Sequence, residues 1–319
     1  MTITEPFDDG IEENEAGWYL MVDPSAEGLR LDRFIARRIA RVSRARAARL
    51  EVIDLDHRGA VMKKSTAVRA GQRLWVKRPM PDGDSEPPAP NIIYEDGDLL
   101  ILDKPPGLAV HPTATRFKST VTWWLSRQFP GLPIEPVHRL DVETSGILVC
   151  SKNHEVNRLL KDVFAHGLVE KRYLALTRGD GSCSTWTVDT PLGFDPISRV
   201  RLKMGVGELP AKTTFRIVET YPALRWIEAW PITGRQHQIR VHLALSGMPI
   251  IGDKLYGPDE GLFLAHLERE LTTEEYRLLG HHRLALHASK IGFTLREEKF
   301  HFQASLPPDL VHLTQNHSL

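Results

Sequence analysis

The chain predicts an α+β protein: a large domain on a largely antiparallel mixed sheet flanked by helices and loops, preceded by a small α/β domain. Three observations predict it. From residue 98 onward, short apolar and β-branched runs recur between turn residues, two of them as a hairpin-like pair. Helical segments are mixed among them without the regular alternation of a parallel sheet, and no Gly-rich phosphate loop is present. Residues 79–90 are so dense in Pro, Gly and acids that they can form neither a regular helix nor a central strand. The boundaries that follow are an acidic segment over 1–27, expected to be disordered, a small domain over 28–78, a linker over 79–90 and a large domain over 91–319.

The acidic segment holds eight Asp and Glu and no Lys or Arg, a composition that disfavours a packed core. Residues 28–78 reverse the sign, with fifteen Lys and Arg against four acids, a net of +11. The formal net charge of zero for the whole chain hides this segregation. A positive field so concentrated points to a polyanion. Within it, Leu31, Phe34, Ile35 and Ile39 recur at helical spacing while Arg30, Arg33, Arg37 and Arg41 occupy the other faces. Ser43 is placed to N-cap a second helix through Leu50. Alternation at 60–62 and 73–77 predicts short strands, with Gly71 at a turn.

In the large domain, 98–102, 146–150 and 173–176 read as strands, and 154–166 as a helix stopped by Gly167. Residues 213–218 and 225–230 flank Tyr221-Pro222-Ala223 and read as an antiparallel pair. No apolar run reaches membrane-spanning length, and the acidic start matches neither a secretory signal nor an Arg-rich transit peptide. A soluble cytoplasmic protein is expected. Cys150 and Cys183 form neither a metal-type pair nor a disulfide framework.

Three segments carry candidate chemistry. His138-Arg139-Leu140-Asp141-Val142-Glu143-Thr144-Ser145-Gly146 sets one carboxylate, Asp141, in a turn at the mouth of a core strand, where catalytic groups are commonly carried. The plain structural reading is that Asp141 caps the turn or pairs with Arg139. The second segment is 170–176, with Tyr173 at a strand opening. The third is 232–242, a strand end, a Gly turn and a helix running toward Gly247. Taken singly, Tyr173 reads as packing and Arg235 as a surface ion pair.

Together, HRLDVETSGILV, EKRYLAL and TGRQHQIRVH, supported by 103–111 and 252–257, resemble the RluA-type pseudouridine synthases, in order from about Tyr94 to about Leu295. The two-helix start, the Ser-Arg-Ala-Arg entry and the close at 68–76 resemble an S4-like RNA-binding domain. The resemblance implies a pseudouridine synthase fold and the isomerisation of uridine in structured RNA, ribosomal (large subunit) before transfer RNA. It implies no cofactor, no metal and no obligate protein partner. Asp141 would supply the carboxylate that attacks or stabilises positive charge at the sugar carbon, much as carboxylates serve glycosidases. Arg235 would be the cation beside it. Tyr173 would stack on the uracil and help remove the C5 proton, with Ile239 closing the other side of the pocket. Arg139 would fill the gap left by the flipped nucleotide, and His138 would orient the loop. Arg33, Arg37, Arg44, Arg46, Lys63 and Lys64 would meet RNA. Two departures are Val142, where relatives are often basic, and the weakly basic 55–59.

Other readings compete. The basic module alone would suit a non-catalytic RNA-binding or ribosome-assembly protein. Asp141 with Glu143 could serve a glycoside or nucleoside hydrolase, although i and i+2 stand too close and no second acid recurs near the other motifs. His237, His242, His281, His282 and His287 show no familiar zinc spacing and read as ordinary core or surface histidines.

Overall fold

A computed structural model describes residues 11–14, 17–39, 44–48, 50–57, 59–77, 88–113, 116–179, 181 and 183–315. The chain forms two compact units, Met1–Asp84 and Ser85–Leu319. No helix among the described residues is long and apolar enough to cross a membrane.

The first unit contains strands β1 (Ile11–Asn14), β2 (Gly17–Met21), β3 (Glu51–Asp54), β4 (Ala60–Val61) and β5 (Arg73–Lys77), with helices α1 (Leu31–Arg38) and α2 (Arg44–Ala47). The strands form one antiparallel sheet, ordered β1-β2-β5-β3-β4. Alternate residues Trp18, Leu20, Leu74, Val76 and Val52 pack with Leu31, Phe34 and Ile35 of α1, as period-2 strands facing an amphipathic helix should. Two expectations are corrected. Part of the acidic segment is structured, because Gly17–Met21 pairs along its length with β5. The averaged charge of 1–27 conceals the alternation Trp18-Leu20-Val22. The second helix stops at Ala47, and the unanticipated β3 begins four residues later. Ser43, its expected N-cap, lies outside the described residues.

The second unit contains β6 (Asn91–Glu95), β7 (Leu99–Lys104), α3 (Val121–Gln128), β8 (Glu135–Pro136), β9 (Ser145–Ser151), α4 (His154–Ala165), β10 (Glu170–Arg178), β11 (Thr185–Asp189), β12 (Leu192–Phe194), β13 (Met204–Val206), β14 (Lys212–Thr220), β15 (Leu224–Pro231), α5 (Gln238–Leu245), α6 (Gly261–Glu268), α7 (Thr273–Leu279), β16 (Leu286–Leu295), β17 (Glu298–Gln303) and α8 (Pro308–Gln315). Its ten-stranded sheet runs β11-β14-β15-β10-β16-β9-β7-β6, with β17 also on β16 and β8 also on β9. Among the described residues, every pairing in it is antiparallel except β16 with β9. The largely antiparallel mixed sheet is therefore present, including the expected pair β14–β15.

Strands β7 and β9 explain their continuous apolar runs by burial on both faces. Ile101, Ile147 and Val149 pack against Val156 and Leu160 of α4, while Leu102, Leu148 and Cys150 pack against Val121, Trp124 and Leu125 of α3. Helix α4 begins where Asn153 accepts a hydrogen bond from Val156 N (2.9 Å) and gives way to Gly167 at φ +70.

Register then sets up the site. Tyr173 pairs with Ala288 on one side of β16, and Ala288 pairs with Gly146 on the other. The start of β9 and the middle of β10 are thus level, one strand apart. Gly146 (φ +108) is required there, since a Cβ would lie 2.3 Å from Ala288 O. Strand β10 begins three residues before Tyr173, in a charged stretch that hides its start from the sequence.

Candidate active site

The Asp141 loop is tied down from four directions. Thr144 N donates to Asp141 O (3.1 Å), closing the turn, and Gly107 N donates to Val142 O (2.8 Å). Lys104 Nζ, fully buried, donates to the carbonyls of Pro105 (2.9 Å), Leu108 (2.9 Å) and Val142 (3.1 Å). Burial pushes the Lys104 ammonium down to about 7, opposed by the nearby Asp141 charge. Three carbonyl acceptors match the three protons of the ammonium form. Glu143 accepts from Lys254 Nζ (2.7 Å) and Leu284 N (3.0 Å), so it staples the loop rather than serving as a second acid. Ser145 Oγ lies 3.0 Å from His287 Nδ1 at the head of β16.

The cation on Asp141 is Arg240, and the expectation of Arg235 is corrected. Arg240 Nη1 donates to Asp141 Oδ2 (2.9 Å), and its Nε and Nη2 form a two-pronged pair with Asp253 (2.8 Å each). Its guanidinium lies 4.9 Å from the Tyr256 ring centroid. Arg235 is exposed, and its Nε donates to Pro210 O (3.0 Å). The reason is helical phase. Helix α5 starts at Gln238, so Arg240 stands three residues from the N-cap His237 and shares its face, whereas Arg235 precedes the helix. Gln238 Oε1 also accepts from Arg235 N (2.9 Å), fixing the turn.

Burial would raise the Asp141 carboxyl, but the charge and hydrogen bond of Arg240 outweigh it and hold the group below the usual carboxylate range. Asp253 behaves likewise for the same reason. The Tyr173 hydroxyl is pushed up by burial and then by the Asp141 charge, so it stays protonated at neutral pH. Ile239 is buried in the cluster against which Tyr173 packs. His138 is held down to about 4 by burial and then by Lys171; its Nε2 accepts from Val149 N (3.1 Å) and its ring stacks on Phe164. Exposed Arg139 and His138 border a cavity of about 490 Å³ with His111, Thr122 and Lys161.

Sequence reading misses Arg240, His237, Asp253 and Tyr256 as members of the site, although all four lie in the quoted motifs. The signal available is the three-residue spacing of His237 and Arg240 at a helix start. In the first unit, Arg33, Arg37 and Lys63 are exposed, Lys64 is half-buried, and Arg44 pairs with Asp32 (3.1 Å). The Arg46 side chain lies outside the described residues.

Of the five histidines of the metal reading, His281 and His282 do cluster, with Asp309 as a third group. Both Asp309 oxygens, however, accept from Arg283 (2.6 and 2.9 Å), a cation where a metal would need free carboxylate.

The model of the RNA pseudouridylate synthase family matches residues 98–245, which span the Asp141 loop, Tyr173 and Arg240. Over 263 residues the chain is 35% identical to ribosomal large subunit pseudouridine synthase D of Nitrosomonas europaea, covering 78% of this chain and 74% of that one. The chain belongs to the RNA pseudouridylate synthase family. Ribosomal large subunit pseudouridine synthase D of Xanthomonas campestris pv. campestris is 32% identical over 322 residues, with 97% and 93% covered. The structure of human RNA pseudouridylate synthase domain containing 1 is similar with a TM-score of 0.57 at 25% identity, covering 72% of this chain and 90% of that chain. The second unit thus carries the pseudouridine synthase fold, and the protein is an RNA uridine isomerase.

Proposed function

We propose that this pseudouridine synthase acts in the cytoplasm on one or more uridines of large-subunit ribosomal RNA, with Asp141 as the reacting carboxylate. The target follows the names of the relatives from Nitrosomonas and Xanthomonas. The observation that carries the chemical reading is the Asp141–Arg240–Asp253 array, which keeps a carboxylate ionised in a site that burial would otherwise neutralise.

The reaction breaks the N1–C1′ bond, turns the uracil over and joins C5 to C1′; the C5 proton leaves and N1 gains one. No electrons are exchanged, so no redox partner is needed. Asp141 meets the positive charge developing at the ribose carbon. Tyr173 and Ile239 hold the extruded uracil between an aromatic and an apolar face. The protonated Tyr173 hydroxyl favours this stacking role over proton abstraction by a phenolate. Arg139, exposed one residue beyond the His138 ring, fills the vacated stack with its planar guanidinium. The first unit, whose sheet takes in Gly17–Met21 as well as residues 28–78, acts as an S4-like anchor, joined through 79–90 to the catalytic domain at 91–319. Exposed Arg33, Arg37 and Lys63 support that reading.

Mapping pseudouridines in total RNA from cells with and without the protein tests the target. Loss at discrete large-subunit positions, restored by wild type and not by Asp141→Asn, is the expected result. Loss confined to transfer RNA would overturn it.

A further inference from the structure

His237 reads from sequence as an ordinary histidine, and its surroundings argue otherwise. It is the N-cap of α5 and adopts left-handed backbone geometry (φ 55, ψ 16), unusual for a residue other than glycine. That twist places a side chain only 13% exposed beside Asp141, with Nε2 4.0 Å from Oδ2, just beyond hydrogen-bond reach. On its other side, Nδ1 lies 2.8 Å from the Tyr256 hydroxyl.

The tautomer follows from the next bond along. Met204 N donates to the Tyr256 oxygen (2.8 Å), and among the described residues His237 Nδ1 is the one acceptor within reach of the Tyr256 proton, so that proton goes to Nδ1. A neutral imidazole that accepts at Nδ1 carries its proton on Nε2, the atom facing Asp141. The ring is neutral, since burial and then Arg240 hold it down to about 4. Arg240 addresses the same Oδ2.

We infer that His237 is a positioning residue for Asp141: Tyr256 fixes its tautomer so that Nε2–H, together with Arg240, engages Oδ2 and leaves Oδ1 to meet the ribose. This rests on the reading of Asp141 as the reacting carboxylate. A neutral donor suits the task, because a second full cation on Oδ2 would blunt the carboxylate that Arg240 already keeps ionised.

The test compares His237→Met with His237→Gln in the full-length protein. Both side chains are unbranched and share the left-handed backbone, so the strain cancels; Gln keeps an N–H donor and Met does not. In steady-state tritium release from RNA labelled at uridine C5, His237→Met should lower kcat by about tenfold or more with KM for RNA within twofold. His237→Gln should recover most of that loss. Equal loss in both variants, accompanied by equal falls in melting temperature, would assign His237 a purely structural role and overturn the inference, as would unchanged kcat in both. Asp141→Asn is assayed alongside: if it stays active, the failure lies with the reading of Asp141 and not with His237.

Discussion

Two charge triplets in this molecule are built in opposite senses. In the catalytic unit one arginine, Arg240, lies between two aspartates, Asp141 and Asp253, at 2.8 to 2.9 Å. In the basic unit one aspartate, Asp32, lies between two arginines, Arg30 and Arg44, at 3.1 to 3.3 Å. The Arg240 side chain is 11% exposed, whereas Arg30 and Arg44 are 47% and 55% exposed. The first triplet leaves a largely buried net negative charge. The second leaves an accessible net positive charge, suited to a phosphate backbone. The same two residue types therefore yield a buried negative site or an accessible positive one according to which sign is in the minority and how much water is excluded.

Breaking the buried triplet should have the largest effect. Arg240→Met strands Asp253 without its two-pronged partner, so chemical denaturation should show a loss of about 3–5 kcal/mol. Turnover should fall on the order of a hundredfold or more, as when a preorganised charge partner is removed. A stable, active Arg240→Met would dissolve the contrast between the triplets.

The exposed cations should behave differently. Neutralising Arg33, Arg37 and Lys63 together to Gln should weaken RNA binding and flatten its salt dependence, by about 0.7–0.9 in log–log slope for each phosphate that is no longer neutralised. The rate on saturating RNA should not change. An unaltered slope would remove the basic unit from the RNA interface.

Acid sharpens the comparison further. His138, His237, His281 and His287, all in the second unit, are held down to about 4, first by burial. Histidines unfold into a state that titrates near 6.5, so below that pH the unfolded chain binds more protons than the folded one. The histidine contribution to stability is then full above about pH 7 and falls between about 6.5 and 4, by at most about 1.4 kcal/mol per pH unit for each histidine. Denaturation midpoints measured across pH 4 to 8 check the sign; a midpoint rising on acidification would contradict it. The smallest effect belongs to Arg235→Met, which should leave kcat within about threefold because that guanidinium rests on a carbonyl at the surface.

The parts of this architecture that are legible from sequence are those encoded locally. The Asp141 turn, the Gly167 helix stop and the β14–β15 pair each lie within a short window of turn chemistry and periodicity. The identity of the partner cation is legible only once the start of α5 is known, because the three-residue spacing of His237 and Arg240 carries meaning only at a helix start and the left-handed residue at 237 sets where that start falls. The parallel pairing of β16 with β9 joins residues 142 positions apart in sequence and leaves no local trace. Strand β2 is hidden by its own neighbours, since acidic side chains at 5–15 dominate the composition while Trp18, Leu20 and Val22 carry the alternation.

Asp141, held ionised by Arg240, is proposed to perform the chemistry. Release of tritium from RNA labelled at uridine C5 by purified wild type and Asp141→Asn tests it most directly. Wild type should release tritium and the variant none above background, a loss on the order of 10⁴-fold or more, with RNA affinity nearly intact. Undiminished release by Asp141→Asn would contradict it.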